Sequence, residues 1–329
     1  MSLFPLARAR RLRLLVLAVA DRCDQRCVHC QIWQGADAPA LPLADRLRVV
    51  DDALAGGASE ALLTGGEPLV SSDLWPVAER LRAGGARLML ATNGMLLARY
   101  AADVARLFHE VYLSLDGPSP AVHDAQRGVP AWDRVAAGIA ALRARAPRPL
   151  LIARSVVHAG TIDAFVETIA AARSLGLDHV SFLPIDAASD AFGALPPARA
   201  ALVPAFEQIA QFEDDVRRLD ADGAFADGFV SEGGDKLLRL ARHLRASAGG
   251  AAFERPPCDA PWWSSVVEAD GSVRPCFFQP AVGDARDGIG TVRRAPAYRH
   301  ALRQIRRPNE TCARCVCPKR RGVFLGASA

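Results

Sequence analysis

The sequence has little net charge: Lys and Arg number 40 against 36 Asp and Glu over 329 residues, so the balance calls for neither nucleic acid nor an anionic membrane as a partner. It has no long hydrophobic run either. LLVLAVA follows Arg8, Arg10, Arg11 and Arg13 in the manner of a signal peptide, but gives way after seven residues to Asp21, Arg22 and Cys23 with no small-residue cleavage site. A bilayer span needs about 20 apolar residues, so neither export nor membrane insertion is expected, and the cytoplasm is the expected compartment. Repeats, low-complexity tracts and charge blocks are missing too, and with half its residues hydrophobic the chain is not disordered, collagen-like or a coiled coil. Cysteine is scarce. Eight in a chain of this length cannot staple a disulfide scaffold, yet they fall in two dense groups, in a compartment that keeps thiols reduced.

From Leu14 onward, short apolar runs alternate with amphipathic segments, the pattern of strand and helix units around a parallel sheet. The strand candidates are LLVLAVA, EALLT, RLMLAT, VYLSL, LLIARSVV and HVSFLPI. Leu43, Leu47, Val50 and Leu54 recur at helical spacing between Pro42 and Gly56, and Leu74, Val77 and Leu81 do so before Gly84. Trp132, Val135, Ile139 and Leu142 mark a further helix, as do Ile162, Phe165, Val166 and Ile169. Beyond Pro184 the chain turns Ala-rich and charge-laced, and no further buried strand is expected. The pattern predicts an α/β protein: a partial (β/α)6 TIM-like barrel over 1–185, a helical connector over 186–256 and a small cysteine-rich, metal-dependent domain over 257–329.

The first cysteine group, Cys23, Cys27 and Cys30, lies just after the first strand, at the C-terminal mouth where parallel barrels carry their active sites. Three thiolates on one short loop can hold three corners of a cubane cluster and leave one iron open to another ligand; a structural zinc site would normally close its fourth position. TGGEP follows the second strand at the same mouth. Its glycines allow close approach of a small ligand, and Glu67 offers a carboxylate for an ammonium group, although such a turn can also simply end a strand. In the second group, Cys258 and Cys276 flank Gly271 in a predicted hairpin, Cys312 and Cys315 form a late CxxC, and Cys317 is left over. Four thiolates suffice for either a cluster or zinc. Trp262, Trp263, Phe277 and Phe278 read as the packing of a small core.

The spacing of the three cysteines and the GGEP turn resemble the radical S-adenosylmethionine (SAM) superfamily over the first ~185 residues. The resemblance implies a [4Fe–4S] cluster on Cys23, Cys27 and Cys30 whose open iron takes the amino and carboxylate groups of SAM. His29 would lie near adenine, and Gly65, Gly66 and Glu67, with Pro68 completing the turn, would meet the methionine moiety. ATNG and SLDGPSPAVHDAQRG resemble the subgroup with C-terminal auxiliary clusters and add Asn93, Ser114 near the ribose, Asp116, Arg127 on the SAM carboxylate and Leu183 near adenine; Arg154 is a second candidate for that carboxylate. Cys258, Cys276, Cys312 and Cys315 resemble the ligands of the twitch domain, the shortened SPASM domain, and imply one auxiliary [4Fe–4S] cluster.

The expected activity is cleavage of SAM to a 5′-deoxyadenosyl radical and abstraction of a hydrogen atom, with the auxiliary cluster assisting a dehydrogenase-like oxidation. An external electron donor such as flavodoxin or ferredoxin is implied. About 22 residues precede Cys23, too few for a leader-peptide domain, which favours a small natural product or sugar over a peptide. Alternatives are a peptide maturase or an epimerase that uses Cys317 as hydrogen donor, and, of another class, a non-catalytic iron–sulfur or zinc binding protein. Asp186 and Asp190, just beyond the sixth strand, are candidate acid/base groups or helix caps.

Overall fold

The computed structural model describes residues 11–35, 39–193 and 200–318. Strand β1 (Leu14–Ala20) is buried at every position, because both of its faces are covered. It leads through helix α1 (Leu43–Ala55) to β2 (Glu60–Gly65), α2 (Leu74–Ala83), β3 (Arg87–Thr92), α3 (Leu97–Leu107) and β4 (Glu110–Ser114). Helices α4 (Pro120–Arg127) and α5 (Trp132–Arg143) precede β5 (Leu150–Val157), and α6 (Phe165–Ser174) precedes β6 (His179–Pro184). These six strands are parallel and neighbour one another in chain order. The expected strands and helices are present; α3 and α4 are additional.

Side-chain alternation sorts each strand into two faces. Leu15, Leu17 and Val19 join Val49, Val50, Leu74 and Val77 in the main core beneath the helices. Leu14, Val16 and Met89 point the other way and pack with Ala260, Trp263 and Val266 from the C-terminal region. The half-buried inner-face residues Thr64, Ala91, Ser114, Arg154, Val156 and Leu183 lie toward the strand C-termini and line the mouth.

After β6 the Ala-rich segments form α7 (Phe206–Ala221) and α8 (Gly234–Ser247). Between them the backbone runs beside β6: Val180 N donates to Phe229 O at 2.8 Å, and Ser231 N donates to Val180 O at 2.8 Å. An edge strand whose free amides would otherwise meet solvent is thereby covered.

The expectation of no further buried strand is corrected. Behind the short helix α9 (Ala260–Trp263), β7 (Ser264–Val267) is wholly buried and pairs in parallel with β1, from Leu14↔Ser264 to Leu17↔Val267. β8 (Ser272–Arg274) and β9 (Gly283–Asp284) add antiparallel partners, making one nine-stranded sheet. Gly271 makes the expected hairpin turn at φ +100°, a conformation costly for residues with a Cβ. Helices α10 (Ile289–Arg294), α11 (Pro296–Arg306) and α12 (Glu310–Ala313) complete the chain, and Ile289, Tyr298 and Leu302 enter the main core. Trp263 is fully buried, as expected of a packing residue. No described helix is long and apolar enough to cross a membrane.

Candidate active site

The loop after β1 holds Cys27 buried and Cys23 and Cys30 half-buried. Three neighbours fix its backbone. The GGEP turn supplies Glu67 N to Arg22 O (2.8 Å) and Gly66 N to Ala20 O (2.9 Å). The end of α4 accepts at Arg127 O from Arg26 N (3.0 Å), and the loop after β6 accepts at Phe192 O from Gln31 N (2.9 Å).

Here the structure explains the two glycines differently from the sequence. Gly65 has φ +132°, and a Cβ on it would lie 2.2 Å from Ala20 O; one on Gly66 would lie 2.1 Å from Arg22 O. The pair is required by the backbone of the cysteine loop itself. Gly66→Ala should therefore push the two loops apart and cost about 1–3 kcal/mol, the range of strongly felt single substitutions. It should also lose at least half of the iron retained after reconstitution, and full retention in a metal assay would show that the loop shifts freely.

Glu67 is corrected in the same way. It is fully buried, and its carboxylate accepts from Leu69 N (2.9 Å), Thr92 Oγ1 (2.7 Å) and Asn93 N (2.7 Å). It ties the turn to the end of β3 and is not held out to an ammonium group. Burial pushes its pKa up to about 7, against the three hydrogen bonds that favour the anion. Pro68 is buried at the start of a short 3-10 turn. Asn93 donates from Nδ2 to Asp24 Oδ1 (2.6 Å) and stands 3.9 Å from Cys23 Sγ.

Asp116 and Arg127 form a buried ion pair at 2.5 Å, with the side chains 0% and 6% exposed. Arg127 Nη1 also reaches Cys27 Sγ at 3.6 Å, while Asp116 Oδ1 accepts from Val156 N at 2.8 Å. Burial opposes the Asp116 anion, but the Arg127 guanidinium together with His29, the Val156 amide and His123 outweighs it and holds the pKa below the usual carboxylate range. Arg127, expected on the carboxylate of SAM, is thus engaged with Asp116 and a loop thiol. Asp116 is likewise no simple turn residue, since it anchors Arg127. His29 packs its ring 5.8 Å from that of His158, a fully buried residue absent from the sequence-based set.

Ser114, Arg154 and Leu183 stay on the half-buried inner wall, with Ser114 beside Arg154 in register and Leu183 beside Val156. Arg154 Nη1 donates to Ser181 Oγ (2.6 Å), which donates to Glu232 Oε1 (2.8 Å). The Arg154 guanidinium lies 5.7 Å from the Tyr112 ring centroid. Glu232, on the segment that covers the β6 edge, carried no signal in the sequence. Of the two roles open to Asp186, the structure shows capping contacts: it accepts from Ala188 N and Ser189 N (both 3.1 Å) and from Ser189 Oγ. Asp190 is exposed, and its carbonyl accepts from Gly193 N.

Cys258, Cys276, Cys312, Cys315 and Cys317 are half-buried. Burial pushes Cys276 up to about 12, with Cys312 and Cys258 adding repulsion; burial raises Cys315 as well, with Cys317, Cys258 and Cys276 contributing. Cys276 therefore lies within electrostatic reach of Cys258 and Cys312, and Cys315 within reach of Cys258, Cys276 and Cys317. Cys258 and Phe277, like Leu62 and Tyr112, pack against the inner-face cluster of Leu14, Val16, Met89, Ala260, Trp263 and Val266.

The arrangement can be compared with known proteins. The family model described as Radical SAM superfamily matches residues 17–168. GTP 3′,8-cyclase 1 of Pseudomonas aeruginosa is 33% identical over 224 residues, 61% of this chain and 67% of that one. The chain belongs to the radical SAM superfamily. A second model, the SPASM iron–sulfur cluster-binding domain, matches 258–316. The AdoMet-dependent heme synthase of Methanosarcina barkeri is 25% identical over 332 residues, 96% of this radical SAM chain and 91% of its own. Against a Geobacter sulfurreducens GTP 3′,8-cyclase the match spans only 51% of the relative. In fold, the crystal structure of Streptococcus suis SuiB bound to precursor peptide SuiA superposes with TM-score 0.64 at 16% identity, covering 94% of this chain and 72% of that one. Native anSMEcpe with bound AdoMet and Cp18Cys peptide gives TM-score 0.63 at 16% identity, covering 92% and 86%.

A radical SAM protein binds SAM and a [4Fe–4S] cluster, and a SPASM domain binds auxiliary iron–sulfur. The donors present suit such groups. Burial pushes the Cys23 thiol up to about 12, so it exchanges its proton for a metal rather than standing as a free thiolate. Asn93 Nδ2 and Arg127 Nη1 face the sulfurs of Cys23 and Cys27 as hydrogen-bond donors. Among the described residues no three Cys, His, Asp or Glu side chains gather as a single ion would need. Thiolates on separate irons of a cube need no such convergence.

Proposed function

We propose that this radical SAM enzyme removes a hydrogen atom from an unactivated carbon of a small natural product or sugar and completes a two-electron, dehydrogenase-like oxidation. With SAM and a cluster on Cys23, Cys27 and Cys30, the chemistry supplied is one-electron cleavage of SAM to methionine and a 5′-deoxyadenosyl radical. The substrate gives that radical a hydrogen atom, then loses a proton and one electron. The observation that supports this reading is that Cys258 and Phe277 pack against the same inner-face cluster, Leu14, Val16 and Met89 among it, as Leu62 and Tyr112 of the barrel strands. An electron acceptor held there adjoins the reaction chamber. The Arg154–Ser181 contact, with Glu232 behind it, supplies a fixed cation beside Tyr112 for orienting a polar substrate. A one-electron donor such as flavodoxin or ferredoxin starts each turnover.

Cys317 supports a second reading. A thiol close enough to Tyr112 to raise its pKa would be within range to return a hydrogen atom to a substrate radical, giving epimerisation. The two readings separate in one experiment. A small-metabolite extract incubated in D2O with reconstituted enzyme, SAM and reductant should yield a product lighter by two hydrogen atoms, formed in step with 5′-deoxyadenosine. Cys317→Ser should leave that yield unchanged. Deuterium at the reacting carbon, with product lost in Cys317→Ser while SAM cleavage continues, would decide for the epimerase.

A further inference from the structure

A cavity of about 330 Å³ opens where three parts of the chain meet: the loop after β6 at Asp186, helix α8 at His243, and Arg314 between Cys312 and Cys315. Its volume is at the lower end of small-molecule sites. The wall is mixed: Val203, Pro204, Ala248 and Phe253 line it together with Asp186, His243, Ser247 and Arg314.

The polar groups there are of one kind. The Asp186 carboxylate is taken up by Ala188 N, Ser189 N and Ser189 Oγ of its own loop. The His243 ring, 5.2 Å from that of Phe253, is held neutral at pH 7 by burial, which pushes its pKa down to about 4. Arg314 stacks its guanidinium 4.8 Å from the Phe253 ring centroid, and its Nε is buried with no hydrogen-bond acceptor. The Arg314 side chain as a whole is 40% exposed, but its buried Nε lacks an acceptor, and a ligand oxygen would satisfy it. Its ion pair with Glu310 does not compete strongly, because the Glu310 side chain is 75% exposed and such surface pairs are worth little.

We infer that this cavity is a binding site for a small organic carboxylate, with its apolar body against Val203, Pro204, Ala248 and Phe253 and its carboxylate on Arg314. A planar guanidinium fixed by stacking presents paired N–H groups that match a carboxylate. Its occupancy is read without turnover, so it stands whether or not the proposed oxidation does.

The test is calorimetric titration of the reconstituted full chain with 4-phenylbutyrate and with its neutral isostere 4-phenylbutanamide. The acid should bind with Kd below about 1 mM and the amide at least about tenfold more weakly. Arg314→Gln should weaken the acid by about tenfold or more and leave the amide unchanged. Arg314 neighbours two auxiliary cysteines, so iron content is measured alongside. Val203→Trp, distant from the cysteines in sequence, fills the cavity and should abolish binding with iron retained. Equal binding of acid and amide, wild-type affinity in either variant, or no heat up to about 10 mM acid would overturn the assignment.

Discussion

Replacing Cys23, Cys27 and Cys30 together by alanine should lower iron from about eight to about four atoms per chain after anaerobic reconstitution, and should reduce 5′-deoxyadenosine release to background. The reason is local. These three side chains are the sulfur donors of the loop after β1, and that loop is already tied to the GGEP turn, α4 and the loop after β6. Removing the thiols deletes the cluster while leaving the backbone hydrogen bonds, so the auxiliary group should keep its metal. Iron and zinc are counted in the same samples. About four irons with zinc in the wild type would make the C-terminal site structural and remove the electron acceptor from the proposed oxidation. Unchanged iron in the triple variant would refute the assignment of the loop.

Breaking the Asp116–Arg127 pair should have the largest effect on stability. Arg127→Leu leaves a carboxylate with no exposed surface and no counter-charge, a change that costs about 3–5 kcal/mol at neutral pH. The variant should also shed iron, because Arg127 joins α4 to Cys27. The double variant Asp116→Leu/Arg127→Leu should recover much of the lost stability in denaturant unfolding, since an apolar pair of similar volume is often tolerated. Iron should stay low in it, because the contact with Cys27 is still missing. If the double variant is as unstable as the sum of the singles, the pair is not coupled and its role as anchor fails.

Much of the barrel was legible because its strands are continuous apolar runs and its helices carry stripes at helical spacing, signals that a buried parallel sheet imposes locally. β7 was not legible. SSVV is four residues long with two serines, and it becomes a strand only because β1 offers it an unpaired edge. The same holds for the backbone from Phe229 to Ser231, which is held beside β6 by pairing at Val180. Glu232 and His158 were equally hidden, since neither belongs to a spaced pattern and each acquires its place from a neighbour distant in sequence, Ser181 for one and the His29 ring for the other.

The sequence by itself determined the donor chemistry, because three thiols on one loop and a second cysteine group define a soft ligand set whatever surrounds them. It also determined the parallel α/β frame, through hydrophobic period alone. Only the tertiary structure decided which charged residues remain available. Glu67, Asp116, Arg127 and Asp186 look like ligand-binding groups in a one-dimensional reading, yet burial commits them to the backbone amides, hydroxyls and ion pairs that hold the loops in place. An ionisable group taken out of water must find partners, and the fold alone determines whether those partners are its own or a ligand's.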